Sequence, residues 1–403
     1  MEHIKQSNQM STENNFCQFP WTWLSVNLES DLWRWCCKVP FTPGFQEHYP
    51  ITKRLTEVKE LLMENRRPQA CKACWDDEDK GGTSYRKANG GEDASVMGLR
   101  YIDIVLSTTC NMKCATCGPG FSSQWQGILQ INEKPKEFHW LNDKKNIVSN
   151  EKRQAALTKL LTTINRHAKT IERIHVYGGE PSVDPTFAVF VDQLLEIEFA
   201  NKPAIRITSN GNFTDRYGDK FMEQLDRLRD AGWSIDIRLS VDAIGETAEF
   251  IRGGLKWTVF EKNIKTLHER GYCHEINVTV STLSYASLPE IPAWLESIGL
   301  LETIIPTFNL AVTPRWTSPG VLGHLASDLA PRWGKYKTHF QWHEFVMKVE
   351  TLQRKQNDQE PALDALKTMG KFLTWYSDVT HRTLPANVSR VRYLSDLATR
   401  YYE

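Results

Sequence analysis

The sequence predicts an α/β protein built from parallel βαβ units, on three observations. Six strand-like runs alternate with five amphipathic helical stretches between residues 101 and 309. Residues able to do chemistry recur just after those runs, where ligands gather in parallel α/β sheets. Eight of the nine cysteines (17, 36, 37, 71, 74, 110, 114 and 117) fall in the first third of the chain, and only Cys273 lies outside it.

At 403 residues the chain can hold one large domain or two to three ordinary ones. Forty per cent apolar and 24% charged residues describe a soluble globular protein. Lys plus Arg equals Asp plus Glu, 49 each, which gives no electrostatic case for nucleic acid or an anionic membrane as partner. Residues 1–15 are polar, carry no signal-peptide pattern and are expected to be disordered. No stretch approaches the roughly twenty apolar residues of a membrane helix. A cytoplasmic location follows as the expectation. Thiols there stay reduced, so clustered cysteines read as metal or redox ligands rather than disulfides.

Taken in order, residues 16–97 form a cysteine-rich segment. Trp23–Leu28 and Leu32–Cys37 read as a β-hairpin turning at Glu29-Ser30-Asp31. It returns Cys36 or Cys37 towards Cys17, and only one of them, since adjacent strand residues face opposite sides. A helix over Ile51–Arg67, stopped by Pro68, then delivers Cys71 and Cys74. Cys17, Cys36 or Cys37, Cys71 and Cys74 thus supply four ligands, enough for a structural zinc or an iron–sulfur cluster.

Residues 98–317 hold the repeat. Its strands are Tyr101–Ser107, Ile171–Tyr177, Ala204–Ser209, Ser234–Val241, Glu275–Ser281 and Glu302–Asn309. Helices are expected at about 155–168, 186–199, 219–231, 258–270 and 288–298. The pattern alone leaves a flat doubly wound sheet and a curved partial barrel both open. The long connection 118–170 has a charged middle, Ile131 to Lys152, expected to be a flexible insertion. A helical extension, 318–403, ends the chain, with helices over Trp342–Arg354 and Ala362–Tyr376.

The strand ends carry the chemistry. After the first come Cys110, Cys114 and Cys117, spaced C-x3-C-x2-C. A [4Fe–4S] cube takes four thiolates, so three from one loop leave an iron open to an outside ligand; a structural zinc would take a fourth protein ligand. After the second comes Gly178-Gly179-Glu180-Pro181, whose bare backbone lets a ligand approach and whose Glu180 can pair an ammonium. Asn210-Gly211 follows the third strand. Ser240 and Asp242, alternate residues at the end of the fourth, suit a ribose diol, and Arg252 can grip a carboxylate. The fifth ends near Thr282, the sixth before Thr313, Arg315 and Trp316. Amine, carboxylate and ribose are the polar groups of S-adenosylmethionine.

Cys110-x3-Cys114-x2-Cys117 followed by Gly178-Gly179-Glu180-Pro181 resembles the radical S-adenosylmethionine superfamily. Cys17-x2-Pro20-Trp21, Cys36-Cys37 and Cys71-x2-Cys74 resemble its SPASM/twitch subgroup, which holds an auxiliary iron–sulfur cluster. Thr116 stands where the family commonly has an aromatic residue, and twitch cysteines usually follow the barrel rather than precede it. The resemblance implies a partial (βα)6 TIM-like barrel, with Cys110, Cys114 and Cys117 on a [4Fe–4S] cluster. Its open iron would chelate S-adenosylmethionine, and one electron from an external flavodoxin- or ferredoxin-like reductant would release a 5′-deoxyadenosyl radical that abstracts a substrate hydrogen. Gly178–Pro181 would hold the methionine amine, Ser240 and Asp242 the ribose, and Arg252 the carboxylate, with Asn210 beside them. The second cluster, also [4Fe–4S], would relay an electron or hold the substrate. A peptide is the implied substrate, with a small carbinol or sugar as the alternative; catalytic acid–base residues stay unassigned, although His175 and Tyr177 are close to the expected site. A zinc-stabilised α/β binding protein is the reading from outside enzymology.

Overall fold

Strand runs such as Arg173-Ile174-His175-Val176-Tyr177 alternate polar and apolar side chains, and that alternation decides how the sheet is covered. The computed structural model describes residues 14–43, 50–95, 97–142, 148–310, 332–357, 363–386 and 388. Within them nine strands form one open sheet: β1 (Trp23–Asn27), β2 (Leu32–Arg34), β3 (Thr42–Pro43), β4 (Tyr101–Val105), β5 (Arg173–Tyr177), β6 (Ala204–Ser209), β7 (Ser234–Ser240), β8 (Glu275–Val280) and β9 (Ile305–Leu310). The order is β3-β2-β1-β4-β5-β6-β7-β8-β9, and β4 to β9 are parallel nearest neighbours. The repeat is therefore a partial TIM-like barrel, with all six strands within a few residues of their expected bounds.

The helices are α1 (Phe19–Thr22), α2 (Pro50–Met63), α3 (Lys72–Asp79), α4 (Tyr85–Ala88), α5 (Ser123–Ile131), α6 (Asn150–Arg166), α7 (Pro185–Leu195), α8 (Asp215–Asp230), α9 (Gly245–Ile251), α10 (Trp257–Glu269), α11 (Glu290–Ser297), α12 (His343–Asn357) and α13 (Leu363–Thr380). The strands' apolar faces, Ile102, Ile104, Ile174, Val176, Ile205, Ile207, Ile237 and Leu239 among them, share one buried core with the inward faces of α6, α7, α8 and α10. The opposite face is the inner side of the partial barrel, and it is polar and half-buried. Trp23 donates to Asp103 at 2.7 Å, His175 sits 3.3 Å from Asp103 and 2.9 Å from Thr208, and ion pairs Arg206–Asp236 and Arg238–Glu275 cross neighbouring strands. Parallel strands buried on both faces read as continuous apolar runs. Here a strict alternation marks a lumen that is not filled by an apolar core.

The cysteine-rich segment departs from expectation in two ways. The hairpin forms, with Ser25 opposite Arg34 and Asp31 in left-handed backbone at the turn. But β1 also pairs in parallel with β4, from Trp23 opposite Tyr101 to Asn27 opposite Val105. The segment is thus the first edge of the barrel sheet rather than an appended unit. Cys36 and Cys37 lie past the end of β2, in a turn, so strand alternation does not separate them.

Arg86 fastens this segment. It is 2% exposed, forks onto Glu78 at 2.6 and 3.1 Å, and donates to the carbonyls of Phe16 and Asn14. Of the stretch expected to be disordered, residues 1–13 lie outside the described residues, while Asn15 is buried and bonded to Asn65. Thr313, Arg315 and Trp316 also lie outside the described residues. The expected flexible insertion is partly packed instead: Phe138 and Leu141 are buried, and Phe138 meets Phe372 and Trp375 of α13. No described helix is long and apolar enough to cross a membrane.

Replacing Arg86 by Met would leave buried Glu78 with only the more distant Lys87, at 3.5 Å, as counter-charge. The expected loss is about 3–5 kcal/mol, read as a lower urea-unfolding midpoint.

Candidate functional site

The loop after β4 is anchored by its backbone. Its amide of Cys110 bonds the Ser123 hydroxyl, Ser122 donates to the Met112 carbonyl at 2.6 Å, and the indole N–H of Trp125 donates to the Cys114 carbonyl at 2.9 Å. From the other side, Lys113 and Ala115 donate to the carbonyls of Gly253 and Ile251, both at 2.7 Å. So α5 and the end of α9 grip the three-cysteine loop between them. Cys110, Cys114 and Cys117 are all partly exposed. Burial, and then the neighbouring Cys114 and Glu180, push the Cys110 thiol far up. Cys114 is pushed up to about 12 by burial, against the pull of the Arg252 guanidinium.

Gly178-Gly179-Glu180-Pro181 lies against this loop. The amides of Gly179 and Glu180 donate to the carbonyls of Ser107 and Thr109, at 3.2 and 2.7 Å. These bonds prolong the β4–β5 pairing past the strand ends. A Cβ on Gly179 would stand 2.2 Å from the Thr109 carbonyl oxygen, and one on Gly178, whose φ is +125°, would meet Val105 at 2.6 Å. The glycine pair is there because the cysteine loop lies on it. The Glu180 carboxylate is 1% exposed and does not face an outside ammonium as expected. It accepts from the Ser182 amide and hydroxyl (3.0 and 2.7 Å), the Ser209 hydroxyl (2.8 Å) and the Asn210 amide (2.6 Å), stitching the end of β5 to that of β6. Burial raises its pKa while those donors lower it.

Asn210 joins the third strand end to the loop. Its side chain donates to Asn111, which donates to the Asn212 carbonyl at 2.6 Å, and Asn212 donates to the Gly254 carbonyl at 3.0 Å. Ser240 is half-buried at the end of β7. Asp242 and Arg252 are both buried and pair with one another at 2.9 Å, Asp242 also accepting the Thr279 amide. The expected separate partners for a ribose and a carboxylate are therefore one ion pair beside Cys114. Asn111, Asn212, Ser122 and Trp125 hold the site yet were not picked out from the sequence. Their signals are faint ones: an Asn inside the cysteine loop, an Asn-Gly-Asn turn, and Ser122 as the cap of α5.

The second cysteine group gathers at the other end of the sheet. Because β2 runs antiparallel to β1, the chain leaving Arg34 returns to the beginning of β1 and β4, opposite to the end carrying the cysteine loop. There Cys17, Cys36, Cys71 and Cys74 line one pocket with Trp35 and Arg86. Cys37 is outside that lining, beside Tyr85, Arg34 and Lys38; a hydrogen bond from Cys36 draws its thiol down to about 6. Cys17 is pushed up to about 11 and Cys71 to about 12, chiefly by burial. Among the described residues no three His, Cys, Asp or Glu side chains close round a single-ion position. Tetrahedral zinc, with Zn–S near 2.3 Å, would draw its thiolates to about 3.8 Å from one another. His175 and Tyr177, stacked at 5.1 Å, face the lumen between the two groups, and Cys273 is fully buried below β8.

Gly179→Ala should lower the unfolding midpoint by the equivalent of about 1–3 kcal/mol. Gly127→Ala, on α5 with nothing within 4 Å of its added carbon, should be neutral or stabilising by up to about 1 kcal/mol. Urea titration of the two variants checks the contrast.

Residues 104–286 match the family model described as the Radical SAM superfamily. No curated protein matches the chain in sequence. Among solved structures, anSMEcpe with bound AdoMet resembles it with a TM-score of 0.37 and 16% identity, over 53% of this chain and 51% of that one. Native anSMEcpe with bound AdoMet and the Cp18Cys peptide gives 0.39 and 13%, over 62% of each chain. Streptococcus suis SuiB bound to the precursor peptide SuiA gives 0.37 and 17%, over 65% and 48%. The chain spans between about half and 62% of the length of these structures, and likeness at such scores carries no argument of its own. Over residues 104–286 the chain is similar to the Radical SAM superfamily, whose members work with an iron–sulfur cluster and S-adenosylmethionine.

Proposed function

We propose that the chain is a SPASM/twitch-type radical S-adenosylmethionine oxidoreductase that modifies a peptide. Cys110, Cys114 and Cys117 would hold the [4Fe–4S] cluster that takes S-adenosylmethionine; Cys17, Cys36, Cys71 and Cys74 would hold an auxiliary iron–sulfur cluster. The observation that carries this reading is the placement of two cysteine groups at opposite ends of one polar-lined half-barrel. The strand β4 between them has five residues, so it separates them by about 13 Å or more. When bound, the first cluster supplies the electron that cleaves S-adenosylmethionine to methionine and a 5′-deoxyadenosyl radical able to abstract a substrate hydrogen.

The residues' own work is to bind, orient and exclude. Gly178–Pro181 would present backbone to the methionine amine. Arg252, steadied by Asp242, would offer its remaining N–H groups to the carboxylate. Ser240, on the open side of β7, would meet the ribose, with Asn210 fixing the loop beside it. His175, held by Asp103 and facing the lumen, is placed to orient a polar substrate group. Its donor or acceptor role depends on which ring nitrogen carries the proton. An external flavodoxin- or ferredoxin-like protein would deliver the electrons.

Anaerobic reconstitution should give about eight irons per chain, falling to about four in Cys36→Ser and staying near eight in Cys37→Ser. Zinc instead of iron in the purified chain would favour the binding-protein reading, about four irons in the parent chain would remove the auxiliary cluster, and unchanged iron in Cys36→Ser would remove Cys36 from its ligands. Reduction with S-adenosylmethionine should yield 5′-deoxyadenosine, and its absence would sink the activity. Deuterium transferred into it from a labelled peptide, rather than from a carbinol or sugar, would fix the substrate class.

A further inference from the structure

The last long helix among the described residues, α13, packs against the cysteine loop. Tyr376, on α13, is fully buried. Its hydroxyl lies 2.7 Å from the Lys113 carbonyl and 3.2 Å from that of Phe250, and it accepts the Gly253 N–H at 3.1 Å. A phenol has a single hydrogen, and the shorter distance gives it to Lys113. Lys113 stands directly before Cys114 in the loop. Its own amide, with that of Ala115, forms the two-rung ladder to Gly253 and Ile251. The hydroxyl therefore closes that ladder from outside, bonded to one partner on each side.

The ring is fixed as firmly as the hydroxyl. It stacks on Phe372 at 5.5 Å, meets Phe250 edge-on at 5.5 Å and leans on Trp125 at 5.7 Å. Trp125 in turn holds the Cys114 carbonyl. A Cβ on Gly253 would stand 2.4 Å from the Tyr376 hydroxyl oxygen. The next nearest atoms are the Lys113 Cγ and carbonyl oxygen, both at 3.1 Å, so the hydroxyl is the tightest of the three contacts. Arg252, next along, carries the ion pair to Asp242.

We infer that Tyr376 is a positioning residue: the C-terminal helix sets the spacing of Cys110 and Cys114 through the Lys113 carbonyl and the Gly253 amide. The inference rests on the assignment of the cysteine loop to a cluster, and its test separates the two. In the metal-free full-length chain, Tyr376→Phe keeps the ring and removes only the hydroxyl. Hydrogen–deuterium exchange at the Lys113 and Ala115 amides should then quicken about tenfold, with the far-UV spectrum and the exchange of α13 unchanged. Gly253→Ala should do the same by displacing the hydroxyl. The double variant should exchange no faster than Tyr376→Phe, because deleting the oxygen removes the 2.4 Å clash and leaves only the 3.1 Å contacts with Lys113. Exchange within twofold of the parent in Tyr376→Phe, or additive effects in the double variant, would overturn the inference. If Tyr376→Phe does not fold, parent-like exchange in Gly253→Ala overturns the inference, and exchange quickened in Gly253→Ala but no faster in the double variant supports it.

After reconstitution, the electron paramagnetic resonance line shape of the reduced cluster, with and without S-adenosylmethionine, should differ between Tyr376→Phe and the parent at equal iron content. Identical line shapes would overturn the positioning role. Iron absent from the parent loop would overturn the cluster assignment while leaving the exchange result to stand.

Discussion

Two amide bonds at the end of β5 hold the site together. Where strands β4 and β5 stop, Gly179 and Glu180 go on pairing with Ser107 and Thr109, so the cysteine loop begins as sheet. This needs backbone-to-backbone contact at a distance that excludes any side chain. Once the loop is laid down in this way, the carboxylate of Glu180 can turn under it and collect donors from the turn after β5 and from the end of β6. A single residue then fixes three strand ends relative to each other. A carboxylate so enclosed has few alternatives to its four donors, since a buried anion without them is costly.

Much of this was legible in the sequence for a physical reason. Parallel βαβ units announce themselves through periodicity, and the six strands fall close to where alternation placed them. The cysteine spacing was legible too, because three thiols on a short loop after a strand admit few uses. What stayed hidden was contact between parts distant in the chain. Nothing in Trp23–Asn27 says that it pairs with β4 rather than with its own hairpin partner alone. Glu180 reads as a ligand until its neighbours Ser209 and Asn210 are seen to point at it. Asp242 and Arg252 are ten residues apart in sequence and gave two separate roles; packed together, they are one neutral pair. That Cys36 and not Cys37 lines the pocket turned on a bend after β2 that alternation does not describe.

The inner face of the half-barrel sets the conditions for whatever binds there. A lumen carrying Asp103, His175, Arg206, Asp236, Arg238 and Glu275 is already charge-paired, so a ligand must exchange its own hydration for groups that are partly satisfied. Selectivity in such a site comes from displacing or completing these pairs more than from apolar contact. The same pairs hold neighbouring strands in register on a face that lacks an apolar filling.

The parallel pairing of β1 with β4 also bears on how the protein is made. β4 lies inside the sheet, flanked by β1 and β5, so its ladder closes only when a strand from the extreme front of the molecule and one from beyond the long connection have both arrived. Contacts of such wide separation in sequence slow assembly. Until the early strand docks, β4 presents an open edge of the kind that recruits stray chains. The cysteine-rich segment is thus a cover for the inner edge of the sheet as well as a carrier of thiols.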